Sequence, residues 1–240
     1  MITPTLHSRG ELLERTAGHP HAQLTSSDDD CVGYERDGAL VWLSHGNATS
    51  VGERHAILSL LVDLAADGVL DGRRWLDLPR TGADVIARYF TVRAQDDWDL
   101  LFATEPPAPM AGEDRVIRLT AADEAEILAV QTAALPHTTS RPGDPRIRAW
   151  YGIRSEGRLV AVAGDRSPGN GVGFLAAIAV HPDAQGNGLG GCLTAALTRL
   201  LLQEYATVAL GVMSDNTGAR RLYERLGFTG SAARTSVSPG

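Results

Sequence analysis

The sequence predicts an α/β protein organised in two halves, and three observations carry that expectation. Apolar runs of strand length alternate with stretches whose apolar residues recur at helical period. A short segment holding Pro106, Pro107, Pro109 and Gly112 separates two such patterned regions. Alternating strands and helices then run through both regions. The expected division is therefore 1–105, a linker at 106–112, and 113–240.

In the first half, Gly38 to Leu43 reads as a strand ending at Ser44-His45-Gly46. Ser50 and Glu53 have capping-box spacing, and Ile57, Leu60, Leu61 and Leu64 follow at helical period until Asp67-Gly68. Trp75 to Leu78 predicts a strand, Asp84 to Phe90 a short helix and Trp98 to Phe102 a strand, giving β-α-β-α-β. The second half reads as a fuller version of this plan. Its strands are expected at 115–119, 150–154, 158–163, 174–180 and 208–213, with one more at 231–237. Its helices are expected at 122–135, 188–205 and 216–226. Pro136, Pro142 and Pro145 break the chain between the first helix and the hairpin, leaving room for one helical turn before Trp150.

Composition excludes several classes. With 240 residues, 43% hydrophobic and 21% charged, the chain can bury a substantial core. Residues 1–16 are polar and lack a signal peptide's apolar stretch. The longest apolar run, Phe174 to Val180, is too short to cross a bilayer. Cys31 and Cys192 form no paired motif, which fits a reducing compartment. A cytoplasmic protein without a membrane partner is expected. All 22 basic residues are Arg, which coding bias explains most simply. Residues 1–112 carry 9 Arg against 17 acidic residues, and 113–240 carry 13 against 12. An acidic first half argues against a nucleic-acid partner, and its field can draw in a cationic partner. No metal site is expected: the seven His are scattered, and His19-Pro20-His21 has no acidic or thiol companions, as in a surface loop.

The chemistry concentrates between Ile178 and Gly191. A strand ends at Ile178-Ala179-Val180, and Gln185-Gly186-Asn187-Gly188-Leu189-Gly190-Gly191 leads straight into a helix. Glycines leave no Cβ in the way of a ligand, and the N–H groups of the first helical turn can face a diphosphate. The same glycines fit a dinucleotide loop, G-x-G-x-x-G, but five residues separate them from the strand, and only one strand–helix pair follows. A second element, Asn216 to Phe228, is a helix with its cap; Asn216, Ala219, Arg220 and Tyr223 share one face, beside Leu222 and Leu226.

Together these segments resemble the GNAT superfamily of acyl-CoA N-acyltransferases. Gln185, Gly188 and Gly190 match its Q/R-x-x-G-x-G/A loop, and Asn216, Ala219, Tyr223, Gly227 and Phe228 match its later N-x-x-A-x-x-x-Y-x-x-x-G-F pattern. The resemblance covers about 113–237 and implies a mixed central sheet flanked by helices. It implies acetyl-CoA or another acyl-CoA as co-substrate. The diphosphate would lie on the amides of Gly186 to Gly191, and the pantetheine and acyl carbonyl along Ile178, Ala179 and Val180. Asn216 would meet the pantetheine arm and Tyr223 the sulfur, as proton donor to the thiolate. The acceptor would be a small-molecule amine or amino acid, and the protein a monomer or homodimer.

Two departures stand out. No carboxylate lies within 174–180, where some relatives keep a base, so a water relay or the loop around His137 is left for that role. About twelve residues follow the Gly-Phe pair, which resembles the branch containing the glycine N-acyltransferase-like proteins. The first half is expected to be a degenerate GNAT-like copy, a scaffold without a glycine loop or an Asn/Tyr pair. Two other classes stay open on the sequence: a non-catalytic acyl-CoA sensor and a nucleotide-binding oxidoreductase.

Overall fold

A computed structural model describes residues 2–169 and 171–240. The chain opens with α1 (Arg9–Arg15) and α2 (Pro20–Leu24), then β1 (Val32–Arg36), β2 (Ala39–Ser44) and β3 (Asn47–Gly52). Next come α3 (Arg54–Ala66), β4 (Leu76–Pro79), α4 (Ala83–Ile86) and β5 (Val92–Ala103). They are followed by β6 (Val116–Arg118), α5 (Glu124–Ala134), β7 (Ala149–Ser155), β8 (Arg158–Asp165) and β9 (Val172–Val180). The chain ends with α6 (Leu189–Leu201), β10 (Thr207–Met213), α7 (Thr217–Arg225) and β11 (Gly230–Pro239). No helix among the described residues is long and apolar enough to cross a membrane.

Two compact units result, and their division differs from the one at 106–112. One unit is Met1–Leu100 with Val212–Asp215 and Ser231–Gly240; the other is Leu101–Gly211 with Asn216–Gly230. The expected linker is a packed strap of the second unit. Pro107 O accepts from Arg199 Nη1 at 2.6 Å, Arg199 also pairs with Glu113, and Met110 packs beside Gly191. The last strand belongs with the first unit because its side chains are buried there: Val237 and Thr235 are fully enclosed.

In the first unit the strand order is β1-β2-β3-β4-β11-β5. β1 to β3 form an antiparallel meander, β4 runs parallel to β3, and β11 runs antiparallel to β4. β2 is buried throughout, and its alternation assigns each side chain to a layer. Val41 and Leu43 join Ile57, Leu61 and Leu64 of α3, while Leu40 and Trp42 join Leu12 and Ala22 of α1 and α2. β3 was not expected, because Asn47-Ala-Thr-Ser-Val-Gly52 is too polar to show an apolar pattern. It forms because Ser50 gives its hydroxyl to Asp77 O at 2.9 Å, satisfying a buried group. The capping box is thereby corrected: Ser50 lies in a strand, and Glu53 caps α3 by accepting from Ala56 N at 2.9 Å. α4 is shorter than expected.

His19-Pro20-His21 is also corrected. His21 lies in α2, 1% exposed, with Nε2 against Asp77 Oδ2 at 2.8 Å, so it does have an acidic companion. Asp77 in turn accepts from Arg234 Nε of β11 at 3.0 Å. No group of three or more metal-ligating side chains forms among the described residues.

The second unit orders its strands β10-β9-β8-β7-β6. β6 to β9 are antiparallel and β10 is parallel to β9. Ile127 and Val130 of α5 pack in one cluster with Leu119, Leu159, Val162 and Ala179. α6 turns Leu193, Leu197 and Leu201 inward, and Leu201 closes on Gly173 of β9. From β1 and from β7 the elements follow one order: three antiparallel strands, a helix, a parallel strand, a helix and a last strand. No helical turn forms between 135 and 148 beyond isolated turns.

Candidate active site

The site starts where β9 parts from β10. Their parallel pairing covers 172–175 against 207–210 and goes no further, although β9 runs on to Val180. At the same place β9 carries a bulge against β8, where the register shifts and Ala177 takes φ 50. A bulge re-aims a strand and leaves groups unpaired, and a left-handed alanine is held only by its surroundings. His181 donates to Val160 O at 2.8 Å, so strand alternation turns the Val180 N–H and the Ile178 C=O towards the open gap. Ala179 faces β8 and packs in the core.

The loop after β9 is braced by its own side chains. Gln185 Nε2 donates to Val180 O at 3.1 Å, and Asn187 Nδ2 donates to Ala184 O at 3.2 Å. Gly186 and Gly188 hold φ of 81 and 73, conformations that a side chain would oppose, and a Cβ on either would meet no protein atom within 4 Å. Their open faces can therefore take a ligand. Gly190 and Gly191 do other work. A Cβ on Gly190 would lie 3.5 Å from Val180 Cγ2 and 3.8 Å from Leu222 Cδ2; one on Gly191 would lie 3.1 Å from Leu222 Cδ1. These glycines let α6, β9 and α7 converge.

That convergence leaves the α6 N-terminus bare. Gly188 is its N-cap and supplies no side-chain bond, whereas Ser8, Glu53 and Asn216 cap α1, α3 and α7 with side-chain oxygens. The first helical bond is Cys192 N to Gly188 O at 3.0 Å, so the N–H groups of Leu189, Gly190 and Gly191 precede the regular ladder. Free N–H groups at a helix N-terminus, together with the helix dipole, are suited to an anion.

α7 brings the other polar groups. Asn216 is exposed, and its Oδ1 accepts from Ala219 N at 3.1 Å, leaving Nδ2 for an outside partner. Tyr223, 7% exposed, packs against Phe228 with ring centroids 6.1 Å apart. Its hydroxyl makes no hydrogen bond with the described residues. Burial pushes the Tyr223 phenol up to about 12. His137 is exposed. The buried carboxylate of this sheet is Asp165 on β8, tied by the N–H of Ser167 at 2.9 Å into a local turn. Sequence reasoning missed the Ala177 bulge, because nothing in an Ala-Ala-Ile run announces a left-handed backbone.

The chain matches known proteins in three ways. The family profile of FR47-like proteins matches residues 150–237. A mycothiol acetyltransferase of Actinosynnema mirum is 31% identical over 254 aligned positions, covering 95% of this chain and 83% of that protein. Mycothiol acetyltransferases of Geodermatophilus obscurus and Mycobacterium leprae are 44% and 34% identical over shorter stretches. Those stretches span 30% and 46% of the two curated relatives and 37% and 48% of this chain. Among solved structures, a putative GNAT-family acetyltransferase from Novosphingobium aromaticivorans aligns with a TM-score of 0.56 and 20% identity, covering 95% of this chain and 96% of that one. A GCN5-related N-acetyltransferase from Kribbella flavida aligns at 0.55 and 15%, covering 88% and 90%. The chain belongs to the GNAT superfamily of acyl-CoA N-acyltransferases.

Proposed function

We propose that this protein transfers an acetyl group from acetyl-CoA to the primary amine of a small molecule. The observation that carries the reading is the bare α6 N-terminus beside a gap between β9 and β10. In this reading the diphosphate lies on the N–H groups of 186–191, braced from behind by Gln185 and Asn187. The Val180 N–H polarises the thioester carbonyl, and Asn216 Nδ2 meets the pantetheine arm. The amine attacks that carbonyl, loses a proton to water along the open gap, and the C–S bond breaks as the intermediate collapses.

Magnitudes decide what Tyr223 does. A phenol at about 12 facing a thiol at ~8.5 is the weaker acid by ~3.5 units, or ~5 kcal/mol. Complete transfer to the thiolate is therefore unfavourable. The phenol acts by donating a hydrogen bond to the sulfur as charge builds, and water completes the protonation. The relatives named mycothiol acetyltransferase support a small-molecule acceptor. The first unit is read as a scaffold. Glu53 already fills the N-terminus of α3 with its own carboxylate, and an anion there would meet like charge.

The test is thiol release from acetyl-CoA with a panel of small amines, amino acids and peptides, with product masses. An acetylated small amine is expected. Saturable acetyl-CoA binding without turnover of any acceptor would favour the sensor instead.

A further inference from the structure

A second candidate site lies wholly within the first unit, at the C-terminal end of α3. A cleft of about 760 Å³ opens there, among Arg73, Arg74, Trp75, Tyr89, Phe90 and Arg93. That volume is in the range of small-molecule sites. α3 has 13 residues, so the cleft is ~20 Å along the helix from the end that Glu53 caps.

The charge of this cleft is anomalous. Residues 1–112 hold only 9 Arg against 17 acidic residues, yet three of the arginines line this one opening, against the carboxylates of Asp71 and of the terminal Gly240. Elsewhere in the unit, Arg36, Arg80 and Arg234 each meet a carboxylate within 4 Å. Arg73, Arg74 and Arg93 meet none among the described residues. Arg73 Nε is buried with no hydrogen-bond partner, a cost that an incoming anion would offset. The backbone is fixed: Arg73 N donates to Leu70 O and Arg74 N to Gly46 O, each at 3.0 Å, and Arg93 sits in β5.

Three guanidinium groups suit phosphate oxygens, which they bind through paired N–H groups. The half-buried rings of Trp75, Tyr89 and Phe90 add flat apolar surface, and His55 Nδ1 lies 3.3 Å from the Tyr89 hydroxyl. Flat apolar walls suit a planar ring. We propose that this cleft binds a nucleoside phosphate, its phosphates on Arg73, Arg74 and Arg93 and its base against the aromatic wall. The cleft shares no residue with the glycine loop and does not depend on the acetyltransferase reading.

The probe is ADP, titrated calorimetrically into the full chain, with adenosine as the uncharged control. One ADP site is expected to persist in Gly188→Val and to weaken at least tenfold in Arg74→Ala/Arg93→Ala, whose altered side chains are both exposed. Arg74→Lys/Arg93→Lys should retain part of the affinity. Adenosine should bind at least tenfold more weakly than ADP, and added salt should weaken ADP binding. An unchanged unfolding midpoint shows that the variants are folded. The proposal is overturned if ADP binds wild type and Arg74→Ala/Arg93→Ala alike, if Gly188→Val abolishes all ADP binding, or if millimolar ADP does not bind.

Discussion

Arg234 Nε donates to Asp77 Oδ1 at 3.0 Å across 157 residues of sequence, and both groups are buried. Arg234 Nη2 also satisfies Ser50 O and Asp77 O, so one guanidinium ties β11 to β3 and β4. Removing it strands a buried carboxylate. Arg234→Ala is expected to lower the stability of the first unit by ~3–5 kcal/mol. Urea unfolding followed by tryptophan fluorescence checks this, since Trp42 and Trp98 both lie near His21. A loss below ~1 kcal/mol would show that the pair is no anchor.

The same cluster sets a pH response. Burial, and then the charge of Arg234, lower the pKa of His21 below its ordinary 6.5; the charge and hydrogen bond of Asp77 oppose this without restoring it. His19, half-buried beside it, is lowered by burial too. Unfolded, these rings take up protons near ~6.5 while the folded rings do not, so stability falls as pH drops through that value. The folded protein should resist urea less at pH 5 than at pH 7.5, and His21→Gln should flatten that difference. Burial raises the Asp77 pKa but His21 and Arg234 more than offset it, so the net shift is downward and its contribution is lost only in stronger acid. Equal midpoints at both pH values would contradict a neutral His21.

Acetyl-CoA should raise the melting temperature, because a ligand confined to the native state stabilises it. Binding should saturate at one molecule per chain. Gly188→Val places a branched side chain on the open face of a residue at φ 73 and should abolish the shift. A variant that still shows the full shift would place the diphosphate elsewhere.

Tyr223→Phe keeps the ring against Phe228 and deletes the hydroxyl. Turnover should fall roughly 10²–10³-fold, the scale for losing one donor to developing charge, with acetyl-CoA affinity little changed. Because burial holds the phenol at about 12, the wild-type rate should show no falling limb from Tyr223 below pH 10. An acyl donor with a more acidic thiol should lose less activity on mutation. Full turnover in Tyr223→Phe, with chemistry rate-limiting, removes Tyr223 from the mechanism.

Legibility in the sequence tracked apolarity. β2, β8 and β9 show as apolar runs, and α3 and α6 as leucine periods, because burial on one or both faces selects those residues. β3 was hidden because its buried Thr49 and Ser50 are satisfied by bonding rather than by being apolar. The glycine loop and the helix that carries Tyr223 were legible as elements, because residue type alone marks a glycine run and a helix with its cap. Gln185 and Asn187 were picked out with the loop, but their amides turn back onto backbone carbonyls of the same segment. The seat of β11 was not legible: a period of two says which side chains point inwards, not which neighbour the strand will find.

That seat has a consequence during synthesis. The slot between β4 and β5 is filled by β11, whose first residue is encoded well over a hundred positions after β5 ends. At ~5–20 residues per second a ribosome needs roughly 6–25 s to make the intervening chain. Throughout that interval the first unit waits with two unpaired edges and with Asp77 held by His21 without Arg234. Exposed edges are templates for pairing with other chains. A nascent chain stalled before residue 230 should therefore recruit chaperones, and release of residues 230–240 should end that dependence.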